Sequence, residues 1–104
     1  MADTDELPEV VDNPAEKRFE ARVGGVLAGI AEYRLRPGRI VFTHTAVEAA
    51  FEGRGVGSRL AAVALDEVRA RGLSVTPACP FIAAYIRRHR EYADLVAPAR
   101  SSER

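Results

Sequence analysis

Phe51-Glu52-Gly53-Arg54-Gly55-Val56-Gly57-Ser58-Arg59-Leu60 is the stretch on which the fold turns. Beyond it, Val56, Leu60, Ala61, Val63, Ala64, Leu65 and Val68 recur at helical spacing, while Arg59, Asp66, Glu67 and Arg69 take the other face. Before it, apolar residues follow the spacing of strands. A glycine-rich turn therefore joins a strand to an amphipathic helix. Glycines let such a turn fold tightly and approach a ligand closely. The first amides of a helix have no internal partner, and with the helix dipole they make an anion site. Arg54, Arg59 and the Ser58 hydroxyl can add bonds to a phosphate. The alternative is a glycine turn that merely starts a helix.

Working back from the loop, Ile40 to Val47 is rich in β-branched residues and reads as a strand. Arg36-Pro37-Gly38-Arg39 is a turn before it. Val26 to Leu35 reads as another strand, and Gly24-Gly25 as a hairpin turn. Arg18 to Val23 alternates charged and apolar, with Phe19, Ala21 and Val23 facing inward. Working forward, Arg71-Gly72 closes the helix with a last-turn cation and a capping glycine. Leu73 to Pro77 is a short strand, whose strand-helix-strand linkage implies a parallel pair. Phe81 to Arg90 is a second helix with Pro80 at its first position. The expected order is β-β-β-α-β-α.

The 104 residues suit one domain. Residues 1–16, with five acids up to about Pro14 (Asp3, Asp5, Glu6, Glu9, Asp12), read as flexible, or at most an edge segment. The folded domain is expected over 17–97, and 98–104 as a frayed tail. Positive and negative charges balance at 15 each, which advertises neither nucleic acid nor an anionic membrane as partner. Lys17 is the only lysine, and the Arg- and Ala-rich composition suggests a GC-rich bacterial gene. No apolar run approaches 18 residues, and the polar start does not resemble a secretory signal, so cytoplasmic residence is the default expectation. One cysteine and two distant histidines make no persuasive metal set, so no metal is expected. Free sheet edges in so small a domain leave room for a homodimer.

The loop lacks the lysine of a Walker motif, and the hairpins before it do not suit a dinucleotide fingerprint. Glu52-Gly53-Arg54-Gly55-Val56-Gly57 resembles the coenzyme A loop of the GNAT acetyltransferases, [QR]-x-x-G-x-[GA]. It fits at both glycines, with Glu52 standing where the motif has Gln or Arg. Together with His44-Thr45-Ala46-Val47 and Cys79-Pro80-Phe81-Ile82-Ala83-Ala84-Tyr85-Ile86-Arg87-Arg88-His89, it resembles the short GNAT-like family of roughly hundred-residue acetyltransferases. The resemblance covers the chain from about Phe19 onward. It implies an α/β (α+β) GNAT-like core: a three-stranded antiparallel meander, then helix, parallel strand and C-terminal helix. With only Gly24-Gly25 between the first two strands, the early helices of longer relatives have no room, so the acceptor site would be open or completed by a partner. The resemblance also implies acetyl-CoA as co-substrate, its pyrophosphate on the loop and its pantetheine pairing beside Ala46 and Val47.

Acetyl transfer to an amine needs a base for the amine, stabilisation of the oxyanion and a proton for the thiolate. Cys79 precedes Pro80 at a helix start, where the dipole favours a thiolate, and the resemblance places it near the thioester. Otherwise it is a small buried hydrophobe. His44, expected on the face of Ile40 and Phe42, suits a general base for the amine or for Cys79. Tyr85 matches the tyrosine that protonates the departing thiolate in GNAT enzymes, or is core. Arg88 is a further candidate for a CoA phosphate. Three functions stay open: an N-acetyltransferase with an unidentified amine acceptor, a non-catalytic acyl-CoA-binding or regulatory module, and a nucleotide-phosphate domain.

Overall fold

The alternation of Arg18 to Val23 makes one strand of a five-stranded sheet, and the residues on both sides of it extend that sheet. The computed structural model describes residues 7–96. The strands are β1 (Glu9–Asn13), β2 (Arg18–Val23), β3 (Val26–Arg36), β4 (Arg39–Val47) and β5 (Ser74–Pro77). They lie in the order β1-β2-β3-β4-β5, antiparallel except for the parallel β4–β5 pair that the strand-helix-strand unit implied. The helices are α1 (Val56–Ala70) and α2 (Pro80–Arg88). The acids Asp3, Asp5 and Glu6 and the segment 98–104 lie outside the described residues.

The sheet begins ahead of Lys17. β1 pairs with β2 over its whole length, from Glu9↔Arg22 to Asn13↔Arg18, so the edge-segment reading holds for Glu9–Asn13. Its anchor is Asp12, which accepts from the Tyr33 hydroxyl at 2.6 Å and from Arg71 at 2.7 Å. The glycine pair closes the next hairpin with Gly24 at φ 58° and Gly25 at φ 84°, the left-handed angles such a turn requires. α1 ends as expected: Gly72 has φ 72°, its N–H bonds the Arg69 carbonyl and that of Leu73 bonds the Val68 carbonyl. α2 stops two residues earlier than the helical spacing suggests, because His89 leaves helical geometry at φ −126°. A 3₁₀ segment, Arg90–Leu95, follows.

The helices cover one face of the sheet. Phe19, Tyr33 and Phe42 form an aromatic layer, with ring centroids 5.5 to 6.4 Å apart. Leu60, Ala61, Ala64, Leu65 and Val68 of α1, and Ile82 and Ile86 of α2, are buried in the same core. Among the described residues no helix covers the opposite face. Register places Arg18, Glu32 and His44 in one row across it, beside a second row of Val11, Glu20, Ile30 and Ala46.

One irregularity decides which way the end of β4 faces. Tyr33 pairs with Phe42 but Glu32 pairs with His44, so Thr43 is an extra residue on β4. Such a bulge reverses the alternation beyond it. Ile40 and Phe42 face the core, and after the bulge Thr45 and Val47 do. The expectation that His44 shares the face of Ile40 and Phe42 is therefore wrong: His44 is exposed on the uncovered face.

Candidate active site

α1 begins at the loop without a side-chain cap. Gly55 is its N-cap in the left-handed conformation (φ 78°, ψ 12°), and Gly53 is left-handed too (φ 80°). The first helical hydrogen bond runs from Arg59 N–H to the Gly55 carbonyl at 3.0 Å. The amides of Val56, Gly57 and Ser58 thus lead the helix with no intrahelical acceptor. A Cβ placed on Gly53 or Gly55 would meet nothing within 4 Å, so the outer surface of the turn is open to a ligand. Gly57 is constrained differently: a Cβ there would lie 2.8 Å from Cζ of Phe81. The third glycine lets α2 pack against the start of α1.

A cleft of about 240 Å³ lies over this helix start, lined by Val47, Glu52, Gly53, Gly55, Ser58 and Phe81, among others. Arg54 holds its guanidinium 5.1 Å from the centre of the Phe51 ring, within cation–π range. Three expected phosphate ligands do not line this cleft, and Arg54, turned onto the Phe51 ring, is the first of them. Arg59 lines a separate cavity of about 490 Å³ with Leu7, Glu9, Arg22 and Gly25. Arg88 lies in the last turn of α2, seven residues past Phe81 and so about 10 Å further along the helix axis.

The cleft continues onto a split in the sheet. β4 and β5 pair only from Arg39↔Ser74 to Phe42↔Pro77. The Cys79 N–H then bonds the Phe42 carbonyl at 2.8 Å, and Thr43 to Val47 run on without a β5 partner. Ala46 and Val47, expected beside a pantetheine, lie on this free edge. Cys79 is buried at the N-cap of α2, its Sγ 3.2 Å from Oγ1 of Thr45. The bulge is what turns Thr45 toward the thiol. It also leaves Cys79 on the helix side and His44 on the uncovered side, so they flank the split from opposite faces.

Tyr85 follows Phe81 by one helical turn and is buried, 6 % exposed. Its ring stacks on His89 with centroids 3.9 Å apart and lies 6.1 Å from that of Tyr92. Among the described residues its hydroxyl has no hydrogen-bond partner, whereas that of Tyr92 donates to Asp66 at 2.8 Å. Burial, helped by the carboxylates of Glu91 and Asp66, pushes the Tyr85 phenol up, so it keeps its proton near neutral pH.

Of the expected site residues, Val47, Gly53, Gly55, Val56, Gly57 and Ser58 share the cleft, Ala46 adjoins Val47 on β4, Cys79 lies against Thr45, and His44 lies on the other face of the sheet. Sequence reasoning missed Thr45 and the cleft-lining role of Phe81. It also missed Gly29, where a Cβ would lie 3.0 Å from the Ala46 carbonyl and 3.1 Å from Leu60 and Val56. No local pattern flags Thr45, since its direction depends on a bulge fixed by pairing with β3.

A family model described as GCN5-related N-acetyl-transferase matches residues 18–95. Among solved structures, the NMR solution structure of a GCN5-like protein from Staphylococcus aureus, inferred to be an N-acetyltransferase, superposes with a TM-score of 0.67. The match covers 93% of this chain and 91% of that one at 21% sequence identity, a likeness of fold. A search of curated protein sequences returned no match.

Proposed function

The chain belongs to the GCN5-related N-acetyltransferase family, and on that premise we propose that it transfers the acetyl group of acetyl-CoA to an amine. The observation that supports this most is the uncapped start of α1, where three backbone amides open onto a cleft that runs to the split between β4 and β5. In this reading the amides of Val56, Gly57 and Ser58 hold the pyrophosphate, with Arg54 and the Ser58 hydroxyl adding to the charge-assisted bonds. The free edge of β4 at Ala46 and Val47 pairs with the pantetheine. Neither Arg59 nor Arg88 is required.

Acetyl-CoA supplies a thioester acetyl and a thiolate leaving group. His44, on the uncovered face, takes the proton that the ammonium must lose before its nitrogen can attack. As the C–N bond forms and the C–S bond breaks, Tyr85 gives its proton to the departing thiolate, and the second proton lost by the nitrogen restores the phenol through solvent. Cys79, buried against Thr45, sits beside the reacting carbon in this reading. Its burial and its bond to Thr45 favour direct transfer over a covalent relay, because a relay needs the thiol free to attack.

Calorimetric titration with CoA tests the first half of the reading. Wild type should bind, and Gly55→Val should lose about a hundredfold or more in affinity, ~2.8 kcal/mol. A β-branched side chain resists the left-handed angle and occupies the phosphate's approach. Unchanged affinity would refute the loop assignment. The second half is read by thiol release from acetyl-CoA with amines present. Direct transfer predicts turnover in Cys79→Ala, while a hydroxylamine-labile acetyl adduct on wild type, absent from the variant, would establish a relay. CoA binding with no acetylation of any amine would favour the alternative, a non-catalytic acyl-CoA-binding module.

A further inference from the structure

The uncovered face of the sheet has a cavity of its own, which His44 does not line but whose Glu32 pairs with it across the strands. It measures about 240 Å³ and is lined by Glu16, Lys17, Glu32, Tyr33, Arg34 and Thr43. Glu32 is the cross-strand partner of His44, and Thr43 is the bulge residue at which β4 leaves β5. The cavity therefore abuts the split from the side opposite Cys79.

Its charges are unspent. Arg18, the other cross-strand neighbour of Glu32, gives its guanidinium to Glu20 at 2.8 Å. Among the described residues, neither Glu32 nor Glu16, Lys17 or Arg34 makes an ion pair. Glu32 is nonetheless half-buried, and its backbone is held by the Thr43 hydroxyl, which donates to its carbonyl at 3.3 Å. Glu32 and Arg34 are two apart on β3, so both face this side, about 7 Å from each other along the strand. Glu32 is the member nearer His44.

We propose that this cavity is the acceptor site of the transfer reaction, and that it takes a primary ammonium carrying a carboxylate, an amino-acid-like zwitterion. The proposal rests on the acetyltransferase reading and adds the class of substrate. Glu32 holds the ammonium beside His44, and Arg34 with Lys17 holds the carboxylate further from the split. The two acids and two bases of the lining cancel in formal charge, so a polycation gains nothing there. A zwitterion of matching span meets an opposite charge at each end.

The test is an NMR titration of the CoA-saturated full chain with four probes: 4-aminobutyrate, butylamine, butyrate and spermidine. 4-Aminobutyrate should shift the amides of Glu32, Arg34 and Thr43, and should bind at least about tenfold more tightly than any probe lacking one charge or carrying several positive ones. Glu32→Gln should weaken it tenfold or more and leave CoA affinity unchanged. Arg34→Gln should reduce its advantage over butylamine. Probes binding alike, shifts lying elsewhere, or a Glu32→Gln chain binding 4-aminobutyrate as wild type does would each overturn the proposal. CoA shifts at Gly53 to Ser58 in the same sample report on the parent reading separately. Without them that reading fails, and this one with it.

Discussion

Glu20 is a strand carboxylate with only 4 % of its surface exposed, on the face of the sheet that no helix covers. Its neighbours cover it instead. Arg18 Nε donates at 2.8 Å, Asn13 Nδ2 at 3.0 Å and Arg22 Nη2 at 3.2 Å. The Arg18 bond, with those of Asn13 and Arg22, outweighs burial and holds the carboxyl below its ordinary value of 4.5. A carboxylate depressed by folding adds stability above its unfolded pKa and loses it as pH falls through the folded one. Glu20→Gln should therefore cost about 1–2 kcal/mol at pH 7, the scale of charge-assisted bonds to partly exposed arginines. The gap to wild type should narrow below about pH 4.5. Urea melts between pH 3 and 7 measure this, and a gap that does not depend on pH would mean that Glu20 acts by packing alone. Alternation places Phe19 and Ala21 inward and Glu20 outward, as found. It cannot show that Glu20 is buried, since one of its covers, Asn13, comes from a strand that composition assigned to a flexible segment.

At the scale of elements, turns and helix ends were readable because each is local chemistry. The Gly24-Gly25 hairpin, the Gly72 cap and Pro80 at the start of α2 each need only their own backbone angles. Two features that build the site are not local. The bulge at Thr43 exists only in the register of β4 against β3, so a uniform alternation puts His44 on the wrong face. The spacing of Gly57 reads as phosphate chemistry, yet its tightest constraint is the Phe81 ring at 2.8 Å from where a Cβ would be. Gly57→Ala sets a helix-propensity gain of about 1 kcal/mol against overpacking of about 1–3 kcal/mol. The expected net is a loss of stability, and a weaker CoA complex as α2 is pushed off the cleft. Phe81→Leu in the same chain should recover much of the loss. Because a double-mutant cycle isolates the coupling of the pair, additive effects would show that the two residues do not clash.

Over the whole molecule, one acid ties an edge strand of the sheet to its middle strand and to the end of α1. Asp12 on the edge strand takes bonds from Tyr33 on β3 and from Arg71 at the end of α1. Burial first, then the bond to Asp12, pushes the Tyr33 phenol up to about 12. No pattern within residues 1–16 reveals this, because the partners of Asp12 are 21 and 59 residues away. The loop at the other end of α1 lacks such ties: among the described residues its three leading amides have neither a side-chain cap nor an intrahelical acceptor. A ligand that bonds those amides binds the folded chain and not the unfolded one, so it must raise stability by mass action. CoA at a hundred times its dissociation constant adds about 2.7 kcal/mol. For a domain of this size each kcal/mol moves the melting temperature by about 4–8 °C. Saturating CoA should thus raise the midpoint by roughly 10–20 °C, a shift that scanning calorimetry resolves easily. Gly55→Val melts lower than wild type without ligand, because the valine strains the turn, and it should show almost no CoA-dependent rise. A variant that melts lower yet still gains the full shift would separate the two roles of Gly55, leaving the glycine necessary for the turn but not for the anion.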